Sequence, residues 1–416
     1  MRNMGTTPST ETPPCTNLAA IESALPRIRA ALPITPLTHS PTLSELTGRG
    51  IFIKWENRHR TGSFKERGAV NFVALHGAES KNGVCAASAG NHALALSYHA
   101  ARAGIPCHIV MPVSAPLVKV QATRKTGAEV ILHGNTFDEA YAFGVALAAE
   151  KGYAYCPAFD HPSVIAGQGT AGLEIMEQLA DFDSVIVPIG GGGLISGIST
   201  AIKSKRPDIF FLGVQSEWVV TARAKKLDPT APQPLIPPTS IADGIAVKTI
   251  GKLTAPIIAQ NVDQVVTVSE NEIADAIMRL LELERTVVEG AGAAGIAALL
   301  AGYLPAKYKR TAVVVCGSNI DTSVLSRLIE RDMAQRNRLL RLLVSVPDRP
   351  GSLHATTGIV ARLGANVLQV YHDRSSTSLP GNVDIAFVLE IRDQPHKQSV
   401  IAGIRETGLE VQEIEH

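Results

Sequence analysis

The stretch S-V-I-V-P-I-G-G-G-G-L-I-S-G-I-S-T-A-I-K-S, Ser184 to Ser204, decides how the chain is read. Its first six residues, dominated by Val and Ile, predict a buried strand, and Leu194 onward predicts a helix. Between them stand four glycines, Gly190 to Gly193. Four in succession are costly in chain entropy, and they remove every side chain between the backbone N–H groups and an anion at the helix start. A flexible surface loop is the alternative, but a position between a buried strand and a helix argues against free exposure. In a parallel sheet, ligands bind at the carboxyl ends of strands, where such a turn lies.

The same rhythm continues outward. G-V-C-A-A-S (83–88) predicts a strand feeding a helix near Asn91, and C-H-I-V-M (107–111) a strand before a helix over 118–126. A-E-V-I-L-H (128–133) precedes a helix over 136–151, Y-A-Y-C (153–156) one over 163–179, and F-F-L-G-V (210–214) follows the Ser184 stretch. This predicts an α/β fold, a mostly parallel sheet with helices on both faces. Ahead of it, 18–31 has helical spacing, and Pro33 and Pro36 mark an extended entry. Residues 1–17, rich in Thr and Pro, predict a disordered tail.

Composition removes several function classes. At 416 residues, 45% hydrophobic and 19% charged, the chain has an ordinary globular profile with room for more than one domain. Basic and acidic residues nearly balance, 39 against 38, so neither nucleic acid nor an anionic membrane surface is an expected partner. No uninterrupted apolar run reaches about 18 residues, so no membrane span is expected. The five cysteines (15, 85, 107, 156 and 316) are widely spaced without C-x-x-C pairs, which argues against a zinc or redox motif and for a reducing, cytoplasmic setting.

Three further turns carry chemistry. T-G-S-F-K-E-R-G-A, Thr61 to Ala69, places Lys65 between a Gly-Ser turn and a helix start, with Phe64 as apolar neighbour. Desolvation there would lower the amine's pKa towards imine chemistry, although most lysines are solvated surface charges. S-A-G-N-H, Ser88 to His92, is a polar turn that can hold a carboxylate at a helix start or merely cap it. C-G-S-N, Cys316 to Asn319, ends the apolar strand T-A-V-V-V-C, where a thiol can face a ring nitrogen or simply pack. The glycine turn also invites a dinucleotide reading, but Gly190, Gly192 and Gly193 miss the G-x-G-x-x-G spacing, and such chemistry leaves S-F-K without a task.

In that order, S-F-K, S-A-G-N-H, G-G-G-G-L and C-G-S-N resemble pyridoxal-phosphate enzymes of the tryptophan-synthase-β fold type (fold type II), and within it the threonine/serine ammonia-lyases. I-A-G-Q-G-T (165–170) and V-E-G-A-G-A (288–293) also look like family signatures, and the resemblance covers about 20–330. It implies that Lys65 links covalently to pyridoxal 5'-phosphate, with Phe64 packed on the pyridine ring and Asn91 bonded to its 3-hydroxyl. It further implies that Gly190, Gly191, Gly192, Gly193 and Leu194 cradle the phosphate and that Cys316 faces the ring nitrogen. Ser88, Gly90, Asn91 and His92 would grip the substrate carboxylate. Lys65 would then remove the Cα proton of a β-hydroxy amino acid.

The expected activity is deamination of L-threonine to 2-oxobutanoate and of L-serine to pyruvate, with 3-hydroxyaspartate undecided. Serine racemases resemble the chain but carry a second serine where Ala89 stands, and alanine cannot donate a proton. A cysteine-synthase-like β-replacement enzyme is a further alternative, and a non-catalytic amino-acid sensor would require the lysine chemistry to be absent. Those racemases also hold a divalent cation partly through an acidic pair. Glu217 matches the first acid and Arg223 stands in the region of the second, so no metal is assigned.

Near 330 the rhythm changes. L-L-R-L-L-V-S-V (339–346), the turn D-R-P-G-S-L (348–353), a helix, two strands, a helix and E-V-Q-E-I (410–414) follow the β-α-β-β-α-β order of a ferredoxin-like fold. With G-A-N-V (364–367) at the next strand, this resembles an ACT domain, which implies an amino-acid effector, with plain oligomerisation as the alternative. The expected organisation is a tail over 1–17, a catalytic domain over 18–330 with a smaller mobile subdomain at 65–155, a linker over 331–339 and an ACT domain over 340–416. By analogy a homo-oligomer, dimer or tetramer, is expected.

Overall fold

The computed structural model describes residues 16–77, 80, 82–218, 240–373 and 381–414. The chain forms two compact units that divide between Ile320 and Asp321. Most of the expected tail, the proline-rich stretch 229–238 and Arg223 lie outside the described residues. Thr16 and Asn17 depart from the tail reading. Thr16 is buried and donates to Pro162 O, and the Asn17 side chain caps the helix Leu18–Ala31.

A six-stranded sheet forms the centre of the first unit. Its strands lie in the order Leu37–His39, Gly50–Trp55, Arg310–Val315, Ser184–Pro188, Phe210–Ser216, Gln264–Val268. Only the first pairing is antiparallel. A second, four-stranded sheet is wholly parallel, in the order Glu129–Leu132, Cys107–Met111, Val84–Ala87, Ala154–Tyr155. Strands such as Ser184–Pro188 and Val84–Ala87 are buried throughout, because helices cover both faces and no alternation is required of the sequence.

The β-α rhythm is therefore that of two parallel sheets. The predicted helix over 18–31 is Leu18–Ala31, and 163–179 becomes Pro162–Gln178. The extended entry after Pro36 is in fact an antiparallel pair, Leu37–His39 with Gly50–Trp55, joined through the helix Pro41–Thr47. Ser269 and Glu272 form a capping box on the helix Glu270–Leu283, whose Ile273, Ile277 and Leu280 are buried.

The second unit holds a four-stranded antiparallel sheet ordered Asn366–Asp373, Asn382–Glu390, Leu339–Pro347, Glu410–Glu413, with helices Ser352–Arg362 and Gln394–Arg405. Here burial does alternate. Along Asn382–Glu390 every second residue is buried, which matches V-D-I-A-F-V-L. The helix Thr322–Gln335 belongs to this unit, so compactness draws the division ahead of that helix and not at 330.

Candidate active site

Three neighbouring strands of the large sheet deliver the site. Gly50–Trp55, Arg310–Val315 and Ser184–Pro188 run parallel, with Val315 opposite Trp55 and Val313 opposite Ile186. Their carboxyl ends therefore release the turn leading to Lys65, the C-G-S-N turn and the glycine turn at one edge. Backbone bonds tie the first two together. Phe64 N donates to Cys316 O at 3.0 Å, Ser318 N donates to Gly62 O at 2.9 Å, and Ser63 bridges Gly317.

Lys65 opens the helix Lys65–Phe72, and its Nζ donates to Ala158 O at 2.7 Å, 5.0 Å from the centre of the Phe64 ring. Burial lowers the amine's pKa to about 8, although Cys316, Cys156 and Glu289 pull the other way. The residue after that carbonyl, Phe159, rests on the glycine turn. A Cβ on Gly191 would meet its ring at 2.3 Å. Gly192, at φ 93°, caps the helix Gly193–Lys203 without a side chain, and the first N–H groups of a helix have no intrahelical acceptor. Thr254 Oγ1 donates to Gly191 O at 2.6 Å, and Leu194 is buried.

Cys316 is buried, and burial pushes its thiol well above the usual range, so it stands neutral. A short polar chain leads to Asn91. Asn319 Nδ2 donates to Asn91 Oδ1 at 2.6 Å, and Asn91 Nδ2 donates to Glu289 Oε1 at 2.7 Å. Burial first, and the charge of Asp243 second, raise the Glu289 carboxyl to about 7.

The second sheet contributes the S-A-G-N-H turn. Ser88 Oγ accepts from Gly90 N at 3.2 Å, and Gly90 stands in open space. The His92 side chain turns to the protein interior. Its imidazole is buried, with Nε2 2.9 Å from Cys156 O, and burial, reinforced by Lys65, lowers its pKa to about 4. A neutral ring committed to that carbonyl leaves only the His92 backbone N–H for a carboxylate. Leu94 lines an open groove of about 840 Å³ beside Thr61 and Asn319.

Several contributors carry no signal of their own in the sequence. Ala158 acts through its carbonyl, and Phe159 through a ring no motif marks. A buried set of charges behind the lysine, Lys54, Glu56, Arg67 and Glu174, also went unread. Its one legible trace is Thr170, Glu174 and Gln178, polar residues four apart along a predicted helix and so on one face. Among the described residues no group of three His, Cys, Asp or Glu could hold a metal ion. Nor is any helix there long and apolar enough to cross a membrane.

An amine whose pKa burial lowers, an adjacent aromatic ring, a neutral thiol and a side-chain-free helix start suit an aromatic aldehyde bearing a phosphate. Fold and site together define the class as lysine-dependent pyridoxal-phosphate enzymes. Family models agree, matching residues 28–317 as a pyridoxal-phosphate dependent enzyme and 340–406 as an ACT domain, and the chain belongs to the pyridoxal-phosphate dependent enzyme family. The L-threonine ammonia-lyase of Thermotoga maritima is 46% identical over 95% of this chain and 98% of its own length. The L-threonine ammonia-lyase of Geobacter sulfurreducens is 43% identical over 93% of this chain and 97% of its own length. Among solved structures, the processed threonine deaminase isoform 2 of Solanum lycopersicum superposes with a TM-score of 0.69 at 34% identity, covering 77% of this chain and 95% of that one. The serine racemase of Dictyostelium discoideum gives 0.68 at 35%, covering 74% and 99%.

Proposed function

We propose that the chain is an L-threonine ammonia-lyase, converting L-threonine to 2-oxobutanoate and ammonia, with L-serine as a second substrate. The observation that carries the reading is Lys65, a half-buried amine whose pKa is lowered to about 8 at the edge where the glycine turn and Cys316 meet, in a chain similar along nearly its whole length to L-threonine ammonia-lyases. Pyridoxal phosphate, when bound, supplies the electron sink for the pair left at Cα.

The chain's own residues divide the remaining work. Lys65 would hold the cofactor and, as a free amine, would be the base at the substrate's Cα proton; a pKa near 8 lets it shed its own proton close to neutral pH. Gly190 to Leu194 would hold the phosphate through backbone N–H groups, and Phe64 would pack on the ring. Cys316, kept neutral by burial, would stand at the ring nitrogen without protonating it, which would favour loss of the β-hydroxyl over transamination. Asn91, oriented by Asn319 and Glu289, would bond to the 3-hydroxyl. The substrate carboxylate sits on the Ser88–His92 turn, with His92 contributing its backbone N–H. The Cα proton and the β-hydroxyl leave as water, and hydrolysis of the resulting enamine returns that water and releases ammonia.

Ala89 supports elimination over racemisation, because it offers no acid on the face opposite Lys65. The C-terminal unit binds an amino-acid effector that acts through differential affinity for two states, and the enzyme is a cytoplasmic homo-oligomer. The test is Lys65→Ala. The purified protein should lose its visible lysine–cofactor absorbance and all formation of 2-oxobutanoate from L-threonine. Persistence of either would overturn the assignment of Lys65, and a wild-type protein with the absorbance but no oxo acid would overturn the substrate.

A further inference from the structure

We infer that Glu66 and Arg67, the two residues after the lysine, are positioning residues that hold Lys65 between two opposed buried clamps. The inference rests on the reading of Lys65 above. The helix they occupy is only eight residues long, and its N-cap, Phe64, makes no side-chain capping bond. Nothing in the helix itself therefore sets the angle at which Lys65 leaves the turn.

Arg67 reaches one way. It is fully buried, and its Nε and Nη2 donate to the two oxygens of Glu56 at 2.6 and 2.8 Å. Nη1 and Nη2 donate to the two oxygens of Glu174 at 2.8 and 2.7 Å, and Thr170 and Thr35 accept at 3.0 and 3.2 Å. Lys54 completes the cluster by donating to Glu174, Gln178 and Thr35 O at 2.6, 2.8 and 2.8 Å. Two cations meet two carboxylates, and the buried His59 lies 3.3 Å from Glu56. Apolar residues in such a place are often as stabilising or more so, hence net stability does not explain it. Geometry does. A planar fork gripping two carboxylates, one just past the strand Gly50–Trp55 and one on the helix Pro162–Gln178, fixes both the rotation and the height of the lysine's helix.

Glu66 reaches the other way. Its carboxylate accepts from Thr61 N and lies 2.7 Å from Nε2 of His99, on the helix that begins with Asn91. Thr61 O in turn accepts from Asn319 Nδ2 at 2.7 Å, the same amide that orients Asn91. Lys65 is thereby referenced to the large sheet through Arg67 and to the Asn91 turn through Glu66. The two helices meet backbone to backbone at this point, where a Cβ on Gly167 would lie 2.5 Å from Arg67 O.

The test compares Arg67→Lys, which keeps the charge and loses the fork, with Thr35→Val, which removes one hydroxyl from outside the helix. Three quantities are read on the cofactor-loaded full chain: folding by circular dichroism, the rate at which Lys65 captures pyridoxal phosphate, trapped by borohydride, and kcat and KM per trapped site. Misplacing a reacting group by about 1 Å costs about 100-fold, so folded Arg67→Lys should lose about that factor in kcat with KM nearly unchanged and capture slowed. Thr35→Val should slow capture by a smaller factor with its fold intact. A folded Arg67→Lys with capture and per-site kcat within about twofold of wild type would mean the cluster only holds the fold together. Should Arg67→Lys not fold, Thr35→Val decides, and unchanged capture there overturns the inference. Capture needs no threonine, so it answers even where the proposed substrate proves wrong.

Discussion

Gly192 and Gly351 occupy the same local position in the two units of the chain. Each ends a strand-to-turn connection, each caps an eleven-residue helix without a side chain, and each holds φ at 93°. Their surroundings are opposite. A Cβ on Gly192 would meet Ile258 Cδ1 at 2.7 Å and Thr254 Oγ1 at 2.8 Å, whereas nothing lies within 4 Å of one on Gly351. Phe159, Thr254 and Ile258 come from distant parts of the chain to enclose the first turn, and the second is left to solvent. A glycine at a helix start supplies backbone donors in both places; only enclosure turns them into a cradle.

Gly192→Ala should produce the largest effect. Left-handed backbone strain of about 1–2 kcal/mol, added to the steric conflict, predicts at least about tenfold weaker retention of pyridoxal phosphate, measured by equilibrium dialysis. Retention equal to wild type would erase the contrast between the turns.

An intermediate effect should appear in the pH dependence of the unloaded protein. Burial holds the Lys65 pKa at about 8 in the folded chain against 10.5 for a free lysine. Between those values the unfolded chain binds more protons, so stability should rise with pH across the window, while below about 8 both states carry the proton and the penalty is constant. Lys65→Met should remove this slope in denaturant titrations. Capture of the cofactor by wild type should likewise speed up as pH rises through about 8; a midpoint near 10.5 would place the amine in water.

Gly351→Ala should do least. With no conflict to add, backbone strain alone predicts a loss of about 1 kcal/mol, or about 5 °C in the melting of the C-terminal unit by calorimetry, with threonine turnover unchanged. A loss as large as that at Gly192 would show that the second turn is also enclosed.

Much of the candidate site was legible because its parts are local. A glycine run, a lysine after a Gly-Ser turn and a cysteine at a strand's end announce themselves by spacing alone. The direction of the His92 ring was not legible for the complementary reason: its position in S-A-G-N-H is local, but its ring meets Cys156 O, far along the chain. The antiparallel entry at Leu37–His39 was missed because three residues carry too little periodicity to mark a strand. Glu56, Arg67 and Glu174 were missed because charged residues read as solvated until burial shows that they neutralise one another.

By itself, then, the sequence determined the β-α alternation over 83–214, the four turns and the residue types each would offer, since these follow from side-chain periodicity and from backbone freedom at glycine. The tertiary structure alone decided that Trp55, Val315 and Pro188 end side by side, that Phe159 closes the glycine turn, and that the Lys65 amine is partly desolvated. The physical reason is that strand pairing and desolvation are set by burial among segments far apart in the chain, and no local spacing encodes which of them will meet.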